Sequence, residues 1–320
     1  MLTDAIKAVL KRGALVAAAN WQVVVIQFVA ESAFKGLLVV PALGAAFLVA
    51  LIVGGEVTDF LDRRLTGVLA AVVAALHRHP GALAGYLAGL LVVVVGGSVL
   101  MFVAKAGTVR VLVEAERAAG PIERPPLRAR ETWTASRFTL ERFGEGIDRY
   151  KGRFVRLGLL LLAVYAAAGL AYLAGVAALH RWTAALGLPI AGSMLAAVTA
   201  LALAALITVV NLFYLLAQIL VVALDCGVRR ALGHLTPLVR REWRLLGGVF
   251  LVMLVVVLLA TAASILATGA LGFVGFVPVV GLAMLPLQLL AWLARGLLFQ
   301  FLGLTALGAY ARVLRGAMHA

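Results

Sequence analysis

The chain has one cysteine, Cys226, in 320 residues, so an intrachain disulfide and a cysteine-based metal cluster are both excluded. Charge is scarce: 13% of residues are charged and 64% are hydrophobic, whereas a soluble domain averages about 25% and 45–50%. The short alternating segments of a membrane β-barrel are missing. Enzyme signatures are missing too. There is no G-x-S-x-G turn and no phosphate-binding glycine loop, since "FGEGIDRYKG" has glycines without the strand-turn-helix context. None of His77, His79, His180, His234 and His319 has a second ligand at a convincing metal spacing, so neither a metal nor a cofactor is expected. The apolar runs hold no acid pair for acid–base chemistry.

What the chain does have is long apolar runs and a mean hydropathy of +1.09. Residues 82–104, 157–179, 190–224, 247–271 and 282–310 each reach the roughly 20 residues that a membrane span requires. Lipid-facing backbone must satisfy its own hydrogen bonds, which a helix does locally. The expected fold is therefore all-α: a polytopic transmembrane bundle of about six spans, arranged as three hairpins with amphipathic helices at the cytoplasmic face, in a single membrane domain. Lys7, Lys11 and Arg12 precede a run at 14–30 that includes an Ala-x-Ala-like site. Only about seven apolar residues precede that site and apolar sequence continues past it, so an uncleaved first span is expected.

Cations outnumber acids 28 to 14, and they cluster. Three precede the first apolar run, twelve fall between Lys105 and Arg156, five between Arg229 and Arg244, and Arg312 and Arg315 close the series. The positive-inside rule puts both termini and both basic connectors in the cytoplasm. An even number of crossings must then precede Lys105, yet three apolar runs compete for them. The run at 37–55, weakened by Pro41, is expected to re-enter or lie at the interface. An amphipathic helix over about 58–76 should follow, within an insertion at about 56–81.

"PALG", "PIAG" and "PVVG" supply a recurring Pro-x-x-Gly at Pro41/Gly44, Pro189/Gly192 and Pro278/Gly281. Each follows a basic stretch and a first apolar run. Proline is tolerated in a first helical turn and glycine permits close helix approach, so each site is expected to form a hairpin turn and start the returning helix. The implied pseudo-repeats cover about 1–120, 140–235 and 236–320.

The connector at 105–156 divides at the breaker cluster "GPIERPP". Beyond it, 127–156 is expected as an amphipathic helix, with Trp133, Leu140, Phe143 and Ile147 set among Arg130, Arg137, Arg142, Arg149 and Arg153. The second connector sets Val228, Leu232, Leu235, Val239 and Trp243 among Arg229, Arg230, Arg240, Arg241 and Arg244. Such helices either anchor topology or contact anionic headgroups. No nucleic-acid module accompanies them, and nucleic acid is not an expected partner.

Polar residues within the spans are candidate functional groups. Asn20, Gln27, Glu31 and Lys35 share a helical face, and Glu31 stands about 28 Å beyond Arg12 at 1.5 Å per residue, at the outer membrane edge where a pair with Lys35 is inexpensive. Arg295 lies far from either end of its run. It is expected to face the bundle interior, with Glu31, Gln218, Gln288 or Gln300 as acceptor, and there to stabilise packing or to receive an anionic lipid head.

At "GIDRYKGRFVRLGLLLL" and "GVRRALGHLTPLVRREWRLLGGVFLV" the chain resembles a group of poorly characterised bacterial six-helix membrane proteins. The group includes the membrane domain attached to some glycerophosphodiester phosphodiesterases. In that group catalysis resides in a separate soluble domain, so the resemblance carries over no catalytic residue. The expected function is non-enzymatic: a scaffold, accessory subunit or lipid-organising protein, with anionic lipid and a membrane protein as partners. The alternatives are a transporter or lipid-translocating protein, and an enzyme with a cryptic site among Glu114, Glu116 and Glu123.

Overall fold

A computed structural model describes residues 2–53, 80–123, 133–275 and 278–319. The expected insertion up to residue 79, with its helix at 58–76, lies outside these residues, as do 124–132. Among the described residues the chain forms seven helices and no strand: α1 (Leu2–Ala19), α2 (Trp21–Val53), α3 (Pro80–Ala118), α4 (Leu140–Ala185), α5 (Pro189–Ala223), α6 (Val228–Gly275) and α7 (Pro278–His319). All but α1 contain a stretch long and apolar enough to cross a membrane, so the chain is a polytopic helical bundle with six candidate spans.

Local chemistry explains the helix boundaries. Thr139 caps α4 by accepting a hydrogen bond from the Arg142 amide at 3.2 Å, so α4 begins at Leu140 and does not run back to 127 as expected. At its other end Gly187 adopts φ +68, while the Gly187 and Leu188 amides donate to Ala184 and Thr183 carbonyls, a Schellman ending. Pro189 then opens α5 and Pro278 opens α7, in line with the helix-start expectation. Pro41 corrects it: this proline lies inside α2, which continues through residues 37–53 without the turn expected there. The four residues before Pro41 are apolar with no breaker, whereas Pro189 follows a glycine already turned. Membrane helices tolerate interior proline.

The glycines of the three Pro-x-x-Gly sites need a correction as well. Gly44, Gly192 and Gly281 are helical residues, within α2, α5 and α7, and none of them forms a turn. The reason is positional. A proline that opens a helix places the glycine three residues later at the end of the first helical turn, so Gly281 follows Pro278 into α7 as Gly192 follows Pro189 into α5.

The run at 14–30 also differs from expectation. It is not one helix: the chain breaks at Asn20, between α1 and α2, and the candidate span is Trp21–Pro41. In α6, Pro237 precedes a kink where Glu242 takes φ −107 and ψ 20, so the basic first part and the apolar remainder point differently.

The chain forms two compact units, residues 29–102 and residues 1–28 with 103–320. In the smaller unit the Phe34 ring lies against Gly97, at a point where a Cβ would collide with it. In the larger unit α1 packs on α7, α6 on α7 and α4 on α5. Its core gathers Val16, Leu112, Phe154, Leu220, Val249 and Leu314, all from the basic ends of their helices. Phe143, Tyr150 and Phe154 belong to this core, while Trp133 and Leu140 are exposed. The apolar face expected over 127–156 is thus divided between protein and surroundings. The most apolar windows of α4 and α5 contain no buried residue. So large an exposed apolar surface is foreign to a soluble monomer, and lipid is the solvent that accommodates it.

Candidate functional site: the basic end of the bundle and the groove at Arg295

Three helices of the larger unit, α3, α5 and α7, end at the basic side, each presenting carbonyls that lack an intrahelical donor. At the ends of α3 and α5 arginines supply donors. Arg12 of α1, 3% exposed, reaches the end of α3: Nε bonds both Glu116 carboxylate oxygens at 2.8 and 2.9 Å, and Nη1 bonds Gly120 O and Glu123 Oε2, both at 2.7 Å. Nη2 donates to Ala119 O at 2.8 Å and Glu116 O at 3.3 Å. Arg315 of α7 adds a bond to Glu116 O at 3.0 Å, and Arg117 bonds Ala223 O at the end of α5 at 2.5 Å. Positive charge at a helix C-terminus is also favoured by the helix dipole. Burial works against the Glu123 charge, but its own backbone amide and Arg12 prevail and hold the carboxyl below its ordinary value.

Arg12 can reach this position because its neighbour is Gly13. A Cβ there would stand 2.7 Å from Ala309 N, and Gly308 on α7 faces Gly13 in turn. Asn20 completes the corner. Its Nδ2 donates to Val16 O and Ala135 O, both at 2.9 Å, and its Oδ1 accepts from the Arg137 and Phe138 amides at 2.9 and 3.0 Å.

Three further acids, Glu114, Glu145 and Asp225, are engaged similarly. Arg110 pairs with Glu114 at 2.8 Å and with Glu145 of α4 at 2.9 Å. Asp225, at φ +47 in the α5–α6 turn, accepts from Arg149 and, at 2.7 Å, from Arg153. Those two arginines hold the Asp225 carboxyl below its usual range, and both flank the Tyr150 ring at 5.7 and 5.4 Å. Arg149 and Arg153, candidates for lipid contact, therefore already have an anionic partner within the chain. Arg142 donates to Arg137 O at 3.2 Å.

The rest of the basic series is different. Arg229, Arg230, Arg240 and Arg244 are exposed on the first part of α6, where Arg244 stacks 5.6 Å from the Trp243 ring and Arg241 lies 3.9 Å from Glu242. Leu235 is buried and Leu232 and Val239 pack on the core. Arg230, His234 and Arg241 border a pocket of about 500 Å³ whose lining includes Leu220, Leu224, Leu238 and Met318. A second pocket of about 460 Å³ shares Leu224 and Met318 and is lined by Glu116, Arg117 and Arg315. An anion with an apolar body fits this combination.

Among the intramembrane candidates, Glu31 and Lys35 form the expected pair at 2.5 Å. Gln27 is buried and donates to Thr108 Oγ1 at 2.5 Å, and Gln218 is buried with its Nε2 unbonded. Arg295 corrects the sequence expectation: it is exposed and does not face the interior. It opens on a groove between α6 and α7 of about 510 Å³, lined also by Ser264, Thr268, Gln288, Trp292 and Phe299. The Phe299 ring is 6.0 Å away. The groove exists because the facing stretch of α6 is built of Ala260, Ala263, Ser264 and Ala267, which leave volume unfilled. Gly192, by contrast, is filled closely by Thr183 of α4, the close approach expected of a hairpin glycine.

Fold and site together define a polytopic helical membrane protein with an arginine-capped basic end and a cationic groove. Compared with known protein families, characterised proteins and solved structures, the chain shows no match.

Proposed function

We propose that the chain is a non-enzymatic bacterial inner-membrane protein, with both termini cytoplasmic, that organises anionic lipid at its cytoplasmic face. The observation that carries this reading is the set of exposed arginines on the first part of α6. Arg229, Arg230, Arg240 and Arg244 have neither a carboxylate nor a carbonyl partner among the described residues, and the pocket beside them joins cations to an apolar floor. Each cation near an anionic membrane contributes about 1 kcal/mol, so the four together give a substantial preference. Exposed Trp243 suits the interface beside them. The orientation rests on the clustering of Lys and Arg.

Glu114, Glu116 and Glu123 all bond arginines that join helices, which favours a structural role for them over the enzyme reading. The recurrence of basic helix, span, Pro-x-x-Gly and returning span is read here as an internal repeat, with the basic part of α6 as an amphipathic interfacial helix. The test is extraction in native lipid discs followed by mass spectrometry. Enrichment of anionic lipid that is lost when Arg229, Arg230, Arg240 and Arg244 become Gln supports the reading. A stoichiometric protein partner without lipid preference transfers the chain to the accessory subunits. Bulk lipid composition with no partner refutes both.

A further inference from the structure

Between Arg244 and Arg312 the sequence contains one formal charge, Arg295. Pro278 and Arg312 each lie 17 positions from it, about 26 Å along a continuous helix. An arginine so placed is within the hydrocarbon layer wherever the α6–α7 hairpin is set, and such residues mark functional pathways by default. Membrane arginines ordinarily face a partner inside the bundle. This one is exposed at the α6–α7 groove, and among the described residues it has no hydrogen bond or ion pair.

We propose that this groove binds one anionic phospholipid, its phosphate on Arg295 and its acyl chains along the lipid-facing walls of α6 and α7. A planar guanidinium offers paired donors that match phosphate oxygens. The Thr268 hydroxyl already donates to Ser264 O at 2.8 Å, which leaves the Ser264 hydroxyl as the second donor on the facing wall. Leu258, Leu259, Leu266, Leu289 and Leu290 are exposed apolar surface for the chains. Charge complementarity favours lipid over a second copy of the protein. Acids cluster at the basic ends and near residues 56–62, and the exception, Glu31, is paired with Lys35. A second copy docked through the same faces of α6 and α7 brings no carboxylate, because residues 245–311 contain none, whereas an anionic phospholipid carries its own phosphate, which the long arginine side chain meets by extending toward the headgroup layer.

The inference rests on the reading of the chain as a lipid-organising membrane protein, but uses a site separate from the arginines of α6's first part. Its test is native mass spectrometry of the protein in discs of phosphatidylcholine with a minority of phosphatidylglycerol, delipidated at high salt. Surface contacts are screened away under those conditions, while a cation in the low-dielectric layer is screened much less. The wild type should retain one phosphatidylglycerol. Arg295→Gln should retain none, and Ala263→Leu, which fills the groove and leaves the cation, should also lose it. The Arg229→Gln/Arg230→Gln variant should keep it. Retention by Arg295→Gln, or by Ala263→Leu if Arg295→Gln does not fold, overturns the proposal. Loss only in the Arg229/Arg230 variant overturns it while leaving the basic-end reading intact. A dimer that dissociates on Arg295→Gln assigns the groove to a second copy and overturns it as well.

Discussion

Arg12 and Glu116, 104 residues apart, share a two-oxygen contact from a single guanidinium nitrogen, at 2.8 and 2.9 Å with both side chains nearly inaccessible. Removing one member leaves the other charged and buried, a loss of about 3–5 kcal/mol. Arg12→Ala and Glu116→Ala should each lower the thermal unfolding midpoint in detergent, followed by tryptophan fluorescence. The double variant Arg12→Met/Glu116→Leu should be less damaged than the two losses summed. Single variants that melt with the wild type would show the pair to be dispensable.

The route by which Arg12 arrives makes a second prediction. Gly13→Ala places a methyl against Ala309 backbone, and α1 and α7 must separate, at about 1–3 kcal/mol. Gly44 lies in α2 with nothing within 4 Å of its would-be Cβ. Gly44→Ala should be neutral or stabilising by up to about 1 kcal/mol, since helix propensity improves. Equal midpoints for the two variants would contradict the close packing of α1 on α7.

Hydropathy made the six spans legible, and Pro189 and Pro278 marked two helix starts because local residues decide those features. Asn20 shows why other features were not. The run over 14–30 is continuously apolar, and the break within it depends on hydrogen bonds to residues 135–138, more than a hundred positions away. Arg12 looked like a topology marker for the same reason: its acceptors lie beyond residue 115. Arg295 was legible as an anomaly, but its exposure depends on which α6 side chains are small along the facing stretch, and helical register alone does not reveal that pairing.

Asp225 should give the fold a defined acid sensitivity. The bonds from Arg149 and Arg153 lower its pKa in the folded chain, so their stabilisation is fully present above the unfolded value of about 3.9 and is lost as pH falls through the folded one. Asp225→Asn keeps a residue that tolerates φ +47 and removes the charge. The difference in unfolding midpoint between wild type and Asp225→Asn should therefore be constant from neutral pH to about pH 5 and shrink below pH 4. A difference that stayed constant to pH 2 would exclude the ion pairs as its source.

Asn20→Ala tests the corner itself. Its side chain makes four hydrogen bonds while fully buried, so truncation strands the amides of Arg137 and Phe138 and the carbonyl of Ala135 without partners. Each stranded group costs about 1–3 kcal/mol if it stays buried. The cheaper response is for residues 135–138 to leave the corner and find water. Hydrogen exchange should then accelerate at least about tenfold at the Arg137 and Phe138 amides, the gain expected when about 1.4 kcal/mol of protection is lost. Amides on α5 should hardly change. Acceleration spread evenly over all helices would mean that Asn20 supports the whole bundle, and unchanged exchange at Arg137 and Phe138 would mean that the clamp is held by something other than this side chain.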